Sequence, residues 1–189
     1  MNNLSDEQLV HDYLKRKDEK ALEILISRYL KPIYGFVYKY TNLLNEAEDL
    51  SQEVFVKVWR NLKKFDQKKS FKTWIFQIAK NTAIDFLRQK KNIPFSALET
   101  EEGENPLANN LIDENPLPPE ILDQKNLAQI LTNAIDKLSE KYCQVLHLRY
   151  NNQFTFQEIA ETLNEPIDTV KSRHRRALLA LKEILNQSI

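Results

Sequence analysis

Only two glycines, Gly35 and Gly103, stand in a chain of 189 residues. Sandwiches, barrels and doubly wound sheets need many tight turns, and glycine supplies the positive φ that those turns demand. Neither glycine lies in a phosphate-cradling loop, so P-loop and dinucleotide fingerprints are missing. Helices, which tolerate this scarcity, are what remains. A single cysteine, Cys143, allows no internal disulfide and no CxxC metal pair, which suits a reducing compartment. His11, His147 and His174 are too scattered for a metal site. The start, Asn2-Asn3-Leu4-Ser5-Asp6-Glu7, has no basic region followed by an apolar run, and no stretch of about 20 apolar residues occurs. The expectation is an all-α, cytoplasmic protein without membrane insertion.

Periodicity divides the chain. Ser5 with Gln8 forms a capping-box signature opening a helix to about Lys15. A second helix follows through Ala21, Leu22, Leu25, Ile26 and Tyr29, and Pro32 opens or kinks a third through Ile33, Phe36, Val37 and Tyr40. Asn45 is placed to cap a long helix whose apolar positions are Ala47, Leu50, Val54, Phe55, Val58 and Leu62. Beyond a lysine-rich break at 63–69, Ser70 caps another helix carrying Phe71, Trp74, Ile75, Ile78, Ala79 and Phe86. These form one small helical domain, 1–91. Residues 92–120 hold five of the seven prolines, seven acids and no base, the composition of a flexible acidic linker. Helical periodicity returns over 121–189, a second small domain.

The 27 basic and 27 acidic residues cancel, yet they are unevenly placed. Residues 1–56 carry 7 bases and 10 acids, 57–91 carry 11 and 2, 92–120 carry 0 and 7, and 121–189 carry 9 and 8. The +9 block is an electrostatic footprint for a polyanion. Six aromatics interleave with its bases: Trp59, Phe65, Phe71, Trp74, Phe76 and Phe86. Aromatic faces beside cations suit single-stranded DNA, whereas aromatics at helical spacing also build cores. About two-thirds of these rings are expected inside, with Lys72, Lys80 and Arg88 exposed.

Near the C-terminus, Phe156, Ile159, Ala160 and Leu163 mark a short helix, Asn164-Glu165-Pro166 breaks it, and a basic helix runs from Ile167 to about Leu185. This pattern reads as a helix-turn-helix, or as a solvated basic face on an ordinary helical pair. Glu46, Glu48, Asp49 and Glu53 crowd one helix start, where acids favour the dipole. They have no partner histidine or second carboxylate helix, so no catalytic, cofactor or metal site is expected; a docking face for a basic partner remains.

Glu46-Ala47-Glu48-Asp49-Leu50-Ser51-Gln52-Glu53-Val54-Phe55-Val56-Lys57-Val58-Trp59 resembles the core-polymerase-binding helix of bacterial sigma factors. Phe71-Lys72-Thr73-Trp74-Ile75-Phe76-Gln77-Ile78-Ala79-Lys80-Asn81-Thr82-Ala83 is similar to their promoter-melting segment. Thr155 to Glu161 and then Thr169-Val170-Lys171-Ser172-Arg173 resemble their second DNA-reading domain. Three motifs in order, spanning nearly the whole chain, point to the two-domain extracytoplasmic-function (ECF) sigma factors of the sigma-70 family.

That resemblance implies docking on core RNA polymerase through Asp49, Gln52, Glu53 and Phe55. It implies reading and melting of the minus-ten element by Lys72, Trp74, Gln77, Lys80, Asn81, Asp85 and Arg88, with the loop Phe65 to Lys69 helping to select an unstacked base. It implies reading of the minus-thirty-five element by Lys171, Ser172, Arg175 and Arg176, with Arg149 reaching phosphate. Partners are core polymerase, promoter DNA as duplex and melted strand, and an anti-sigma factor. The family usually carries glycine at Asn164 and apolar residues at Glu165 and His174; asparagine tolerates the left-handed turn. The competing readings are a stand-alone helix-turn-helix regulator, which binds duplex without polymerase, and a helical adaptor with no DNA role.

Overall fold

A computed structural model of the chain describes residues 4–91 and 130–187. The expected linker, and the first residues of the second domain up to 129, lie outside the described residues. Among the described residues the chain is helical and contains no strand. Helix α1 spans Asp6–Arg16, α2 Glu19–Thr41, α3 Leu44–Asn61 and α4 Phe71–Lys91, with a 3-10 turn at Leu62–Lys64. Residues 130–136 form α5. Helix α6, Glu140–Leu146, runs on into a π turn at His147–Asn151, followed by α7, Phe156–Leu163, and α8, Ile167–Asn186.

Local signals explain most boundaries. The Ser5 hydroxyl accepts from the Gln8 amide and the Gln8 side chain accepts from the Ser5 amide, closing the expected box. Ser70 receives the Thr73 amide on its hydroxyl and so starts α4. Pro32 opens no new helix: it sits inside one continuous 23-residue helix. An interior proline costs about 3 kcal/mol. Here the buried positions Ala21, Leu25, Tyr29, Ile33, Phe36 and Val37 run across it in one helical register, so packing keeps both halves in one helix. Asn45 is no cap either; α3 begins at Leu44, after Leu43, without a side-chain cap.

Helices α1 to α4 enclose a core of Leu25, Ile33, Phe36, Val54, Val58, Ile75 and Phe76. That core does not end with the first helical group. Val145, Leu148, Phe154 and Ile159 join the same apolar cluster, and Phe76 meets Phe154 edge to face at 5.1 Å. A smaller cluster of Leu138, Leu146 and Ala177 holds α6 against α8. Cys143 lies beside it, its thiol donating to the Ile135 carbonyl at 3.2 Å and its pKa raised by burial. This half-buried thiol is poorly suited to ready oxidation.

His147 is packed between the two groups, and burial, reinforced by the Lys39 charge, pushes its pKa down to about 4. Between pH 6.5 and 4 the unfolded chain therefore binds a proton that the folded chain refuses. Stability is fully present above pH 6.5 and falls as pH drops to about 4, by up to ~3 kcal/mol from this group. Melting temperature against pH checks this; His147→Gln should flatten that slope, and an unchanged slope would contradict it.

Candidate polymerase and nucleic-acid surfaces

Helix α3 buries Ala47, Leu50, Ser51, Val54 and Val58. Geometry then forces Asp49, Gln52 and Glu53 outward, and all three are exposed. Phe55 is half-buried and packs against the core, so only part of its ring is presented. Spacings of three, four and three along one stripe link Asp49 and Gln52 to Val56 and Trp59. Val56 is 43% exposed and Trp59 58%. Beside them, an apolar groove of about 410 Å³ between α2 and α3 is lined by Leu30, Lys31, Tyr34, Glu48, Ser51 and Gln52. The Trp59 indole N–H donates to the Tyr13 hydroxyl at 2.9 Å, which fixes the ring while leaving most of it in solvent. In sequence Trp59 stands both among the aromatics of the basic block and at the end of the stretch Glu46 to Trp59 that resembles a polymerase-binding helix. Its register puts it on the same exposed stripe as Asp49, Gln52 and Val56.

The expected rings of the basic block divide as follows: Phe65, Phe71 and Phe76 are buried, Trp74 and Phe86 half-buried, and Trp59 exposed. Phe65 lies against Trp74 at 5.0 Å and Phe71 at 5.5 Å, so it supports the loop from inside and presents no face to a base. The loop's outward residues are Gln67, Lys68 and Lys69, with Asp66 folding the turn by accepting the Lys68 amide.

Helix α4 carries two neighbouring stripes. Trp74, Gln77, Asn81, Asp85 and Arg88 follow one line, and Asn81, Asp85 and Arg88 are exposed. Lys72, Phe76 and Lys80 follow the other. Contrary to expectation, Lys72 and Lys80 are partly buried, because the C-terminal helices sit on them. Lys72 donates to the Asn152 carbonyl and lies over the Phe154 ring at 4.3 Å. Lys80 donates to the Leu163 carbonyl at 2.5 Å, and Gln77 to the Glu161 carbonyl at 2.9 Å. The last carbonyls of a helix have no intrahelical partner and carry the negative end of its dipole. The end of α7 thus offers Gln77 and Lys80 acceptors of the kind a nucleic-acid strand would offer. Desolvation lowers the pKa of both lysines, opposed by Glu158 and Asp6 at Lys72 and by Glu165 at Lys80. The exposed Lys39–Asp136 ion pair, 2.7 Å, adds a contact between α2 and α5.

The C-terminal pair has helix-turn-helix geometry. Thr155 and Glu158 cap α7 reciprocally. Asn164 adopts the left-handed conformation expected of it, φ 54°, and the Glu165 amide returns to the Ala160 carbonyl at 3.0 Å. On α8, Lys171, Ser172, Arg175 and Arg176 are all exposed. Arg149 is committed in part to the fold: it donates to the Phe154 carbonyl at 2.7 Å and stacks on Phe156. A groove of about 600 Å³ between the starts of α6 and α8, lined by Ser139, Lys141, Thr169, Ser172 and Arg176, provides donors at one edge of this surface.

Comparison with known proteins shows the family of the chain. Residues 25–93 match the sequence model of sigma-70 region 2, and residues 134–183 that of sigma-70 region 4. The chain is 32% identical to the ECF RNA polymerase sigma factor SigW of Bacillus subtilis, covering 91% of this chain and 92% of that one. It is 31% identical to the ECF RNA polymerase sigma-E factor of Escherichia coli, over 94% and 93%. Among solved structures, the sigma factor RpoE of Bartonella quintana, in complex with the anti-sigma factor NepR, superposes with a TM-score of 0.68 at 21% identity, covering 88% of this chain and 98% of that one. That last likeness is one of fold.

Proposed function

The chain belongs to the ECF sigma factors of the sigma-70 family, and from that premise we propose how its surfaces divide the work. It is an alternative sigma factor that directs promoter-specific initiation by RNA polymerase. Residues 1–91 form the unit that docks on polymerase and handles the minus-ten element, 92–120 the linker, and 121–189 the unit that reads the minus-thirty-five element. Asp49, Gln52, Glu53 and Phe55, extended by Val56 and Trp59, hold core enzyme. Their acidity suits a basic partner, and their exposed apolar members supply the burial that makes an interface tight.

The observation that carries this reading is the pair of outward polar stripes, one on α4 and one on α8, in a single chain. In the major groove, Lys171, Ser172, Arg175 and Arg176 reach base edges and phosphates, and arginine and lysine pair with guanine. On α4, Trp74, Gln77, Asn81, Asp85 and Arg88 meet the melted strand, where stacking and edge hydrogen bonds offset the few kcal/mol that extruding a base costs. Lys72 and Lys80 join them once the C-terminal helices move away. The protein supplies binding and strand separation, and we assign its residues no catalytic step and no cofactor. It acts in the cytoplasm, with polymerase, and an anti-sigma factor is its expected antagonist.

Run-off transcription with purified core polymerase on a randomised promoter library tests this. Promoter-directed product is expected only with both proteins present; tight duplex binding by the chain alone, without product, would favour a stand-alone regulator. Lys171→Ala or Arg176→Ala should weaken upstream-element recognition by about 1–3 kcal/mol each. Equal transcription from wild type and both variants would remove α8 from the reading surface.

A further inference from the structure

We propose that Arg173 and His174 are a pair of pins that set the roll of α8 about its own axis, and thereby choose which bases its exposed side chains meet. The inference rests on the assignment of α8 as the duplex-reading helix and adds to it the means by which register is fixed.

Val170 and Ala177 are fully buried and define the inward line of α8. At about 100° per residue, Arg173 and His174 project roughly 50° to either side of that line, while Lys171, Ser172, Arg175 and Arg176 occupy the opposite half. Each flanking residue is tied to a different part of the domain. The Arg173 guanidinium pairs with the Glu165 carboxylate at 2.7 Å, and its side chain is only 14% exposed. Glu165 stands in the turn before α8, and its backbone N–H donates to the Ala160 carbonyl, which holds that turn in place.

On the other flank, the His174 ring packs edge-on to Phe156 at 5.1 Å and lies 5.8 Å from Tyr150. Its Nε2 is 3.1 Å from the Tyr150 hydroxyl. Phe156 is itself covered by the Arg149 guanidinium, so this anchor is part of the frame. Two anchors on opposite sides of the buried line resist rotation in opposite senses. Apolar packing of Val170 and small Ala177 alone fixes depth better than angle, since neither offers a directional bond.

The lever arm makes roll matter. With side chains reaching about 6 Å from the axis, a 30° roll shifts their ends by roughly 3 Å. That is close to the ~3.4 Å spacing of successive bases along a strand. Loss of either pin should therefore re-rank the preferred sequences, with little loss on the best of them.

The test uses holoenzyme assembled from purified core polymerase and the full chain, on promoters with a randomised upstream element and a fixed downstream one. Arg173→Gln and His174→Phe are expected to change relative use of individual bases by about tenfold, equivalent to ~1.4 kcal/mol. Tyr150→Phe, an exposed position that loses only a hydroxyl, should change them in the same sense as His174→Phe. Exchanging the charges, Glu165→Arg with Arg173→Glu, should restore the wild-type ranking. An unchanged ranking in these variants, or a uniform loss on every sequence without re-ranking, overturns the pin role. If wild type itself shows no upstream preference, the assignment of α8 fails and the pins fall with it; if wild type discriminates and the variants match it, only the pins are refuted.

Discussion

Replacing Phe154 by alanine is expected to raise the free chain's affinity for a single-stranded minus-ten oligonucleotide by about tenfold or more. In the closed arrangement Lys72, Gln77 and Lys80 are all spent on backbone carbonyls of the C-terminal segment, Asn152, Glu161 and Leu163. A strand that needs those donors binds only the fraction of molecules in which they are free, so apparent affinity is reduced by that fraction. Phe154 is the apolar centre of the contact, fully buried against Phe76 and beneath Lys72. Truncating such a ring removes several kcal/mol of packing, most of it from this contact if the C-terminal helices stay folded. Asp136→Asn breaks only the exposed Lys39 pair and should give a smaller gain, of a few-fold, in the same direction. Far-ultraviolet circular dichroism separates opening from unfolding, since opening leaves helix content unchanged. Equal strand affinity for wild type and both variants would mean that closure does not compete with DNA. Because Asn81, Asp85 and Arg88 stay exposed in the closed form, their alanine variants should weaken residual binding even before opening.

Which features could be read in advance follows from how local their causes are. The Ser5–Gln8 and Ser70 caps, and the left-handed Asn164, depend on residues within three or four positions, and all three hold. Pro32 starts no separate helix because the local rule is outweighed by six buried side chains in continuous register across it. Asn45 misleads because α3 is set by burying Ala47 and Leu50, which draws its start back to Leu44. Lys72 and Lys80 look like free cations on a helix; what covers them comes from about 80 residues further on, and no spacing rule announces such a contact. Glu165 and His174 acquire meaning only when Arg173, Tyr150 and Phe156 appear beside them.

Trp59→Ala is expected to weaken binding to core polymerase by about 2 kcal/mol or more, some thirtyfold, the loss typical of a central aromatic anchor. A ring 58% exposed is costly to leave in water and worth most where a partner covers it. The bond from its indole nitrogen to Tyr13 keeps it in one orientation, so little side-chain entropy is lost on docking. Tyr13→Phe removes that restraint and keeps the ring, and should cost less, several-fold. The charged Glu48, Asp49 and Glu53 around the stripe also act on the rate of encounter, so Asp49→Asn should lower the association rate and its salt dependence. Labelled chain titrated with core polymerase reads the affinities, and transcription at saturating chain reads the rest. Should Trp59→Ala leave core affinity intact yet destabilise the open complex, the ring would belong with the strand-reading aromatics. Loss of core affinity, with full activity regained at saturation, places it on the docking stripe with Asp49, Gln52 and Val56.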